Sequence, residues 1–503
     1  MVWPATSQQT RFLPIRRILV KAELSMLVVV LARLTSLAPA QGHPSLVPPA
    51  AANQTTCISH VTVIDTGTGK EVHDRAVVIS KDRISAVKAS NEVHTSACGK
   101  TIDGTGKYQI PGLWDMHAHM TSVDSTLPLY IANGVTGVRE MFGPPDANKF
   151  RSNLAAKHIV APHIYLASPL VDGYPPAWPL SIVVKTAAEG RAAVDDQKQK
   201  GADFIKVYGG LSREAYYAIL DESKRQGIPA EGHVPDSISA WEATAAGQKS
   251  MEHLNGLAVA CSTKQKELMP KVEAAMSVEE SDPLFLEAAH TYSEEKCQRL
   301  FAEFKKNGTW QVPTLTLWLT FARFNDPQFT SDDRLRYFGG QMRGFLTGKD
   351  PAGNVDARFQ GMTESSFAMN RQVLTNDEKL VGAMFRAGVP ILAGTDNSNP
   401  YVFPGFSLHD ELALLVESGL TPLGALQAAT RNPAIFMNAQ DQYGSVTAGK
   451  IADLVLLNAD PLADIHNTTR IATVFLGGKE FDHPALDQIL SSAESAANPI
   501  SAH

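Results

Sequence analysis

Eight short apolar runs, each about the length of one buried strand, recur through the middle of the chain, and helix-like segments separate most of them. They read LWDMHAHM (113–120), VTGVREM (135–141), HIYLASPLV (163–171), FIKVYG (204–209), IPAEGHV (228–234), SMEHL (250–254), QVPTLTL (311–317) and ILAGTD (391–396). The intervening segments SREAYYAILDESKRQG (212–227) and DSISAWEATAAGQ (236–248) open on Ser212 and Asp236 as candidate N-caps. Strands joined by helices need crossovers and so run parallel. A closed (β/α)8, TIM-like barrel satisfies that alternation without leaving edges, and an α/β fold of this kind is expected over residues 111–439. An open doubly wound sheet is the competing architecture. Two longer gaps, 255–310 and 318–390, are expected as helical excursions, either covering the substrate face or packing outside the barrel.

The two ends of the chain have another texture. From Cys57 onward CISHVTVIDTGTGKEVHDRAVVISKDRISAVKAS reads as short strands and turns, and a similar pattern returns in GSVTAGKIADLVLLNADPLADI and IATVFLGGKEF. Residues 57–110 and 440–483 are therefore expected to combine into a small β-sandwich subdomain, followed by a C-terminal tail at 484–503. Residues 44–56, rich in Pro and Ala, read as a linker. Before them Arg11, Arg16, Arg17 and Lys21 precede the apolar MLVVVLA (26–32) and an Ala38-Pro39-Ala40 triplet. Residues 1–43 thus read as a secretory signal, with an uncleaved membrane anchor as the alternative because Arg33 interrupts the apolar run. The expected location is periplasmic or secreted. Four cysteines fit that compartment as two disulfides. Pairing Cys57 with Cys98 and Cys261 with Cys297 is preferred among three connectivities, four buried thiols being the alternative. A hydrophobic fraction of 44%, a charged fraction of 19% and a net charge of −7 fit a globular enzyme and give no sign of a nucleic-acid partner.

Polar residues cluster where a barrel places its chemistry, at the C-terminal ends of the runs. The first carries His117 and His119, the fourth Lys206, the fifth His233, the sixth His253 and the eighth Asp396. In a strand His117 and His119 share a face and can converge on one metal ion. Taken singly, each residue has an ordinary reading as a buried imidazole, a surface lysine or a turn aspartate. A core would sooner use Val, Ile or Leu at five strand ends.

With the words IDGTGKYQIPGLWDMHAHM, GADFIKVY, EGH, EHL, AGTDN and LHDELALLVESGLTPLGALQAATRNPA, this set resembles the amidohydrolase superfamily over roughly residues 57–483. The similarity is to its imidazolonepropionase-like branch, which also holds metal-dependent dipeptidases. The resemblance implies two divalent metal ions, zinc being the first choice. His117, His119 and Asp396 would hold one, His233 and His253 the other, and Lys206 would bridge both as an N-carboxylated lysine. An ammonium has no lone pair, so only the carbamate could do this. The implied reaction is hydrolysis of C–N amide or peptide bonds by a metal-bridging hydroxide. Asp396 would move the proton, and Tyr208, on the same strand face as Lys206, would bond the oxyanion or the substrate. Dipeptides or N-acyl amino acids are the expected substrates. Cyclic amides such as imidazolones or lactams, esters and phosphotriesters are alternatives, as is an inactive binding scaffold. The expected partner is a small molecule, the assembly a homo-oligomer. The chain departs from the branch after the third run, where ASPLVDGYPPAWPLS (167–181) replaces a Gly- and His-rich word. Tyr174 and Trp178 there suggest a site that accepts an apolar or aromatic group, while His163 begins its strand, far from the reactive end.

Overall fold

Seven of the eight apolar runs contain strands, and all their mutual pairings are parallel. The computed structural model describes residues 55–498 except 122, 276–277, 350–354 and 357, so the leader (1–43) and nearly all of the linker (44–56) lie outside the described residues. Leu113–Ala118, Val135–Glu140 and His163–Leu166 form a three-stranded sheet. Val171–Asp172, Ile205–Val207, Ala230–Gly232, Ser250–Glu252 and Trp310–Val312 form a second sheet with the short Ile182–Val183. Single parallel bridges continue the series, joining Ala167 to Phe204, Gln311 to Ile391 and Ala118 to Asn397. The fold is thus mixed α/β with parallel sheets.

The eighth run is an extended segment rather than a full strand. Leu392 N–H donates to Gln311 O at 2.9 Å on one side, and Met116 N–H donates to Ala393 O at 2.8 Å on the other. Gly394 permits this approach, because a Cβ there would stand 2.7 Å from His117 Cβ. Run seven is also only half strand: after Val312 the chain turns at Thr314 into the helix Leu315–Arg323. A short apolar run does not distinguish a buried strand from the start of a buried helix.

Helix Arg213–Gln226 is capped by Ser212 as expected. Helix Ala240–Ala246 starts later than expected, capped by Ser239 and not Asp236. The reason is Glu242, which completes a reciprocal capping box with Ser239 that Asp236 has no partner to match. Both long gaps are helical. The first holds Leu257–Cys261, Gln265–Ala274, Val278–His290 and Glu294–Asn307, the second ends in the long helix Glu364–Arg386.

The strands from the two ends of the chain lie on one hydrogen-bonded path, whose edge at Arg83 bridges back to Ile451. The order is Lys479–Asp482, Ile471–Leu476, Leu454–Leu457, Tyr108–Pro111, Thr55–Ile64, Glu71–Ser80 and Arg83–Ala89, with Lys100–Asp103 paired to Thr55–Ile64. Tyr108–Pro111 is the seam, parallel to one terminal group and antiparallel to the other. Ile58, Val77, Ile84, Leu454, Leu456 and Phe475 bury one face together. The stretch read as a tail is mostly helix, His483–Ala497. Asp482 caps it, and Leu486 packs on Ile131 and Phe481. No helix among the described residues is long and apolar enough to cross a membrane.

Both disulfides pair neighbours in sequence, Cys57 with Cys98 and Cys261 with Cys297. Chain-entropy arguments assign the 41-residue span of the first a stabilisation of about 4 kcal/mol. The Cys57→Ala/Cys98→Ala variant is therefore expected to unfold at markedly lower denaturant, and non-reducing peptide mapping of the parent should recover the linked pair. Two free thiols in oxidised protein would contradict this.

Candidate metal centre

His117, His253 and Asp396 are buried and offer ligand atoms that all lie within 4.8 Å of one another. His119 reaches the same carboxylate, its Nε2 standing 2.8 Å from Asp396 Oδ1, with His117 Nε2 at 3.2 Å. The ring of His253 lies 4.5 Å from that of His117 and 4.7 Å from that of His233, and His233 stacks on Tyr208 at 4.1 Å. Lys206 sits among them, 1% exposed, and its Nζ has no hydrogen-bond partner. Gly232, at φ 133°, makes room for it, since a Cβ there would meet Val207 O at 2.3 Å and Lys206 Cδ at 2.9 Å. All six expected residues and Tyr208 therefore share one neighbourhood.

The hydrogen bonds fix which nitrogens face the cluster. His117 Nδ1 donates to Glu252 Oε2 at 2.8 Å, which leaves Nε2 turned toward Asp396. Thr314 Oγ1 donates its proton to Pro313 O, so it accepts from His253 Nδ1 at 2.7 Å, and the lone pair of His253 stays on Nε2. An imidazole whose far nitrogen donates to a carboxylate or hydroxyl is oriented as a metal ligand is. His253 and Asp396 also hold positive φ, 59° and 63°. Such backbone costs energy for residues other than glycine, so the surrounding contacts must enforce it.

Electrostatics hold two of the imidazoles, His233 and His253, neutral beside the Asp396 anion. Burial pushes His253 down to about 3, with the His117 charge adding to it. Burial and the neighbouring Lys206 hold His233 well below its usual range. For Asp396, burial alone would raise the carboxyl, but His117 and His253 more than offset it and hold it well below the ordinary range. Burial likewise opposes protonation of His119, yet its bond to Asp396 and the nearby Glu140 carboxylate win and raise it to about 9.

Several supporting residues were not among those picked from the sequence. Arg139, fully buried, donates to Glu231 at 2.9 Å and to Glu252 at 2.8 Å. Burial works against the Glu252 charge, but Arg139 and His117 hold that carboxyl low. Asp115 accepts from Thr395 Oγ1 at 2.7 Å and Asn397 Nδ2 at 2.9 Å. The available signal was a charged residue inside each apolar run: Asp115 in LWDMHAHM, Arg139 in VTGVREM and Glu252 in SMEHL. His163 lies at the opposite end of its strand, 2.9 Å from Asp453. Trp178 Nε1 donates to Tyr208 Oη at 3.0 Å, whereas Tyr174 is 72% exposed beneath Lys185.

The chain matches the Amidohydrolase family over residues 108–481. It is 23% identical to an ochratoxinase of Aspergillus niger, with 86% of this chain and 88% of the relative covered. It is 23% identical to an imidazolonepropionase of Shouchella clausii (strain KSM-K16), with 76% and 78% covered. A solved bottromycin amidohydrolase superposes with a TM-score of 0.70 at 26% identity, covering 88% of this chain and 91% of the other. The strand-end cluster and these matches agree: the chain belongs to the amidohydrolase family and is a metal-dependent hydrolase acting on carbon–nitrogen bonds.

Proposed function

We propose that the enzyme hydrolyses amide or peptide bonds of small molecules, dipeptides or N-acyl amino acids, at a centre of two divalent ions. On this reading the scaffold is a closed (β/α)8 barrel, supported by the single parallel bridges that carry the pairing from each sheet to the next and from the last run back to the first. The observation that carries the metal reading is Lys206, whose amine is buried without a hydrogen-bond partner beside imidazoles and a carboxylate. Burial pushes it down to about 8 against the opposing charges of Glu252 and Asp396. Its neutral form is therefore accessible. Addition of that nitrogen to carbon dioxide, with loss of a proton, gives a carbamate whose two oxygens suit two cations.

His117, His119 and Asp396 would hold one ion, His233 and His253 the other, and the carbamate both. Four imidazoles with oxygen anions suit zinc. When bound, the ions supply an acidified water and polarise the scissile carbonyl. Asp396 accepts the water's proton and returns it to the leaving nitrogen, which departs as an amine. Burial pushes the Tyr208 phenol up, so it keeps its proton. Its oxygen accepts from Trp178, leaving that proton to donate to the substrate oxygen. The match to an imidazolonepropionase supports cyclic amides as a second substrate class. Two disulfides and the leader-like first 43 residues support a periplasmic or secreted enzyme.

Purified enzyme is expected to carry about two zinc-like ions per chain, following the two-metal argument. Elemental analysis after mild dialysis checks this, and full activity without metal would overturn it. Lys206→Ala should lose both metal and turnover, with partial rescue by short carboxylates in the buffer; unchanged turnover would make Lys206 a structural residue. Asp396→Asn should lower kcat/KM by at least ~10²-fold, the lower end for a positioned acid–base group. The loss should be steeper for an amide than for its activated ester, whose leaving group departs as an anion. Equal losses at matched metal content would remove the proton-transfer role.

A further inference from the structure

The helix Leu315–Arg323, which follows the seventh run, starts without a cap from its own N-cap residue. Thr314 holds that position at φ 51°, and its side chain makes no bond to the first turn. A Thr there normally accepts from the N–H of the second or third helical residue. Here the hydroxyl is engaged elsewhere, donating to Pro313 O and accepting from His253 Nδ1 at 2.7 Å. Another helix supplies the missing acceptor: Glu411, fully buried on Ser407–Glu417, accepts from Thr316 N–H at 2.9 Å.

The same turn shows which form Glu411 takes. Thr316 Oγ1 stands 2.9 Å from Thr395 O and 3.2 Å from Glu411 Oε2. A carbonyl only accepts and a hydroxyl carries one proton, so the shorter contact takes it and Thr316 turns a lone pair to Glu411. A carboxylate would face that lone pair with its other oxygen, Oε1, buried and without a partner. A protonated Glu411 donates to Thr316 Oγ1 instead. Burial pushes this carboxyl up to about 8 against the bonds from the helix start, and the Asp115 charge adds to the shift, so it is neutral at neutral pH.

We propose that Glu411 is a positioning residue for the metal centre: its carboxyl caps the helix Leu315–Arg323 in place of Thr314 and so frees the Thr314 hydroxyl to hold the His253 ring. The proposal rests on the reading of His253 as a metal ligand. Without Glu411, Thr316 N–H is a buried donor lacking an acceptor, and the residue placed to take it is the N-cap itself. Positive φ is costly for a β-branched residue, so Thr314 has every reason to leave that conformation. A Thr314 that turns to the helix drops His253 Nδ1, and the ring loses the contact that points Nε2 at the cluster.

The test measures the zinc dissociation constant of folded holoenzyme by chelator competition, beside the denaturation midpoint of the metal-free protein. Glu411→Ala should weaken zinc binding about 10- to 100-fold, the range for an outer partner of a ligating histidine. Glu411→Gln, which offers an acceptor and a donor in the same volume, should stay within about three-fold of the parent. Thr314→Val should match the alanine loss, and the double variant should lose little more than either single one, whereas independent effects would multiply. Should Glu411→Ala not fold, Glu411→Asp, one methylene shorter and equally able to hold a proton, takes its place. A Glu411→Ala protein that unfolds earlier yet binds zinc as the parent does would make Glu411 part of the fold alone and overturn the proposal. So would a multiplied loss in the double variant, or a glutamine variant as weak as the alanine one. His253→Ala separates the two readings: unchanged zinc binding there would refute the metal assignment of His253 and the proposal with it. Zinc lost in His253→Ala but kept in Glu411→Ala would remove the proposal and leave the metal reading standing.

Discussion

Arg139 is fully buried, and its guanidinium bonds Glu231, Glu252 and Ser250 while its Nε donates to Met116 O. Those partners come from the first, fifth and sixth runs, so one side chain from the second ties four of them together. Removing a single partner of a buried ion pair costs roughly 3–5 kcal/mol, because the other charge stays in the interior without compensation. The cost of burying Arg139 is met by its two carboxylates, and Glu231 also has Lys249 within 3.5 Å. Glu252 then turns from this network to His117 Nδ1, which sets the direction of His117 Nε2. The orientation of the first imidazole in the cluster thus descends from a fully buried cation.

A matching device holds the other side. Asp115 gathers Thr395 and Asn397, which bracket Asp396, and accepts the His117 N–H as well. One carboxylate thereby sets the separation of the first strand from the eighth run. Burial raises Asp115 to about 6, against the bonds that favour its charge. Gly394 lets the backbones approach, and the positive φ of Asp396 turns its side chain to the histidines once its flanks are fixed.

The alternation of runs and helices was legible in the sequence because burial demands a repeating pattern, and the six strand-end residues stood out because they interrupt it. Less legible were features decided by pairings. Asp236 looked like a cap, but Ser239 prevails through Glu242. The second half of QVPTLTL became helix, since hydrophobicity alone does not choose between periods in so short a window. Tyr174 suggested a site that accepts an apolar or aromatic group, yet its ring is largely exposed beneath Lys185. Arg139 and Glu252 were visible as letters but acquire meaning only through contacts across 113 residues.

His119 and Asp396 meet across 277 residues of chain. Such a contact forms late, because the loop it closes must lose its freedom before the contact returns anything. The first strand already needs the eighth run as its neighbour, so the two imidazoles at 117 and 119 stay without their shared carboxylate until nearly the whole polypeptide has been laid down. A site that draws on both residues is therefore complete only once this long-range contact has formed, unlike a zinc finger, whose ligands lie close together in sequence.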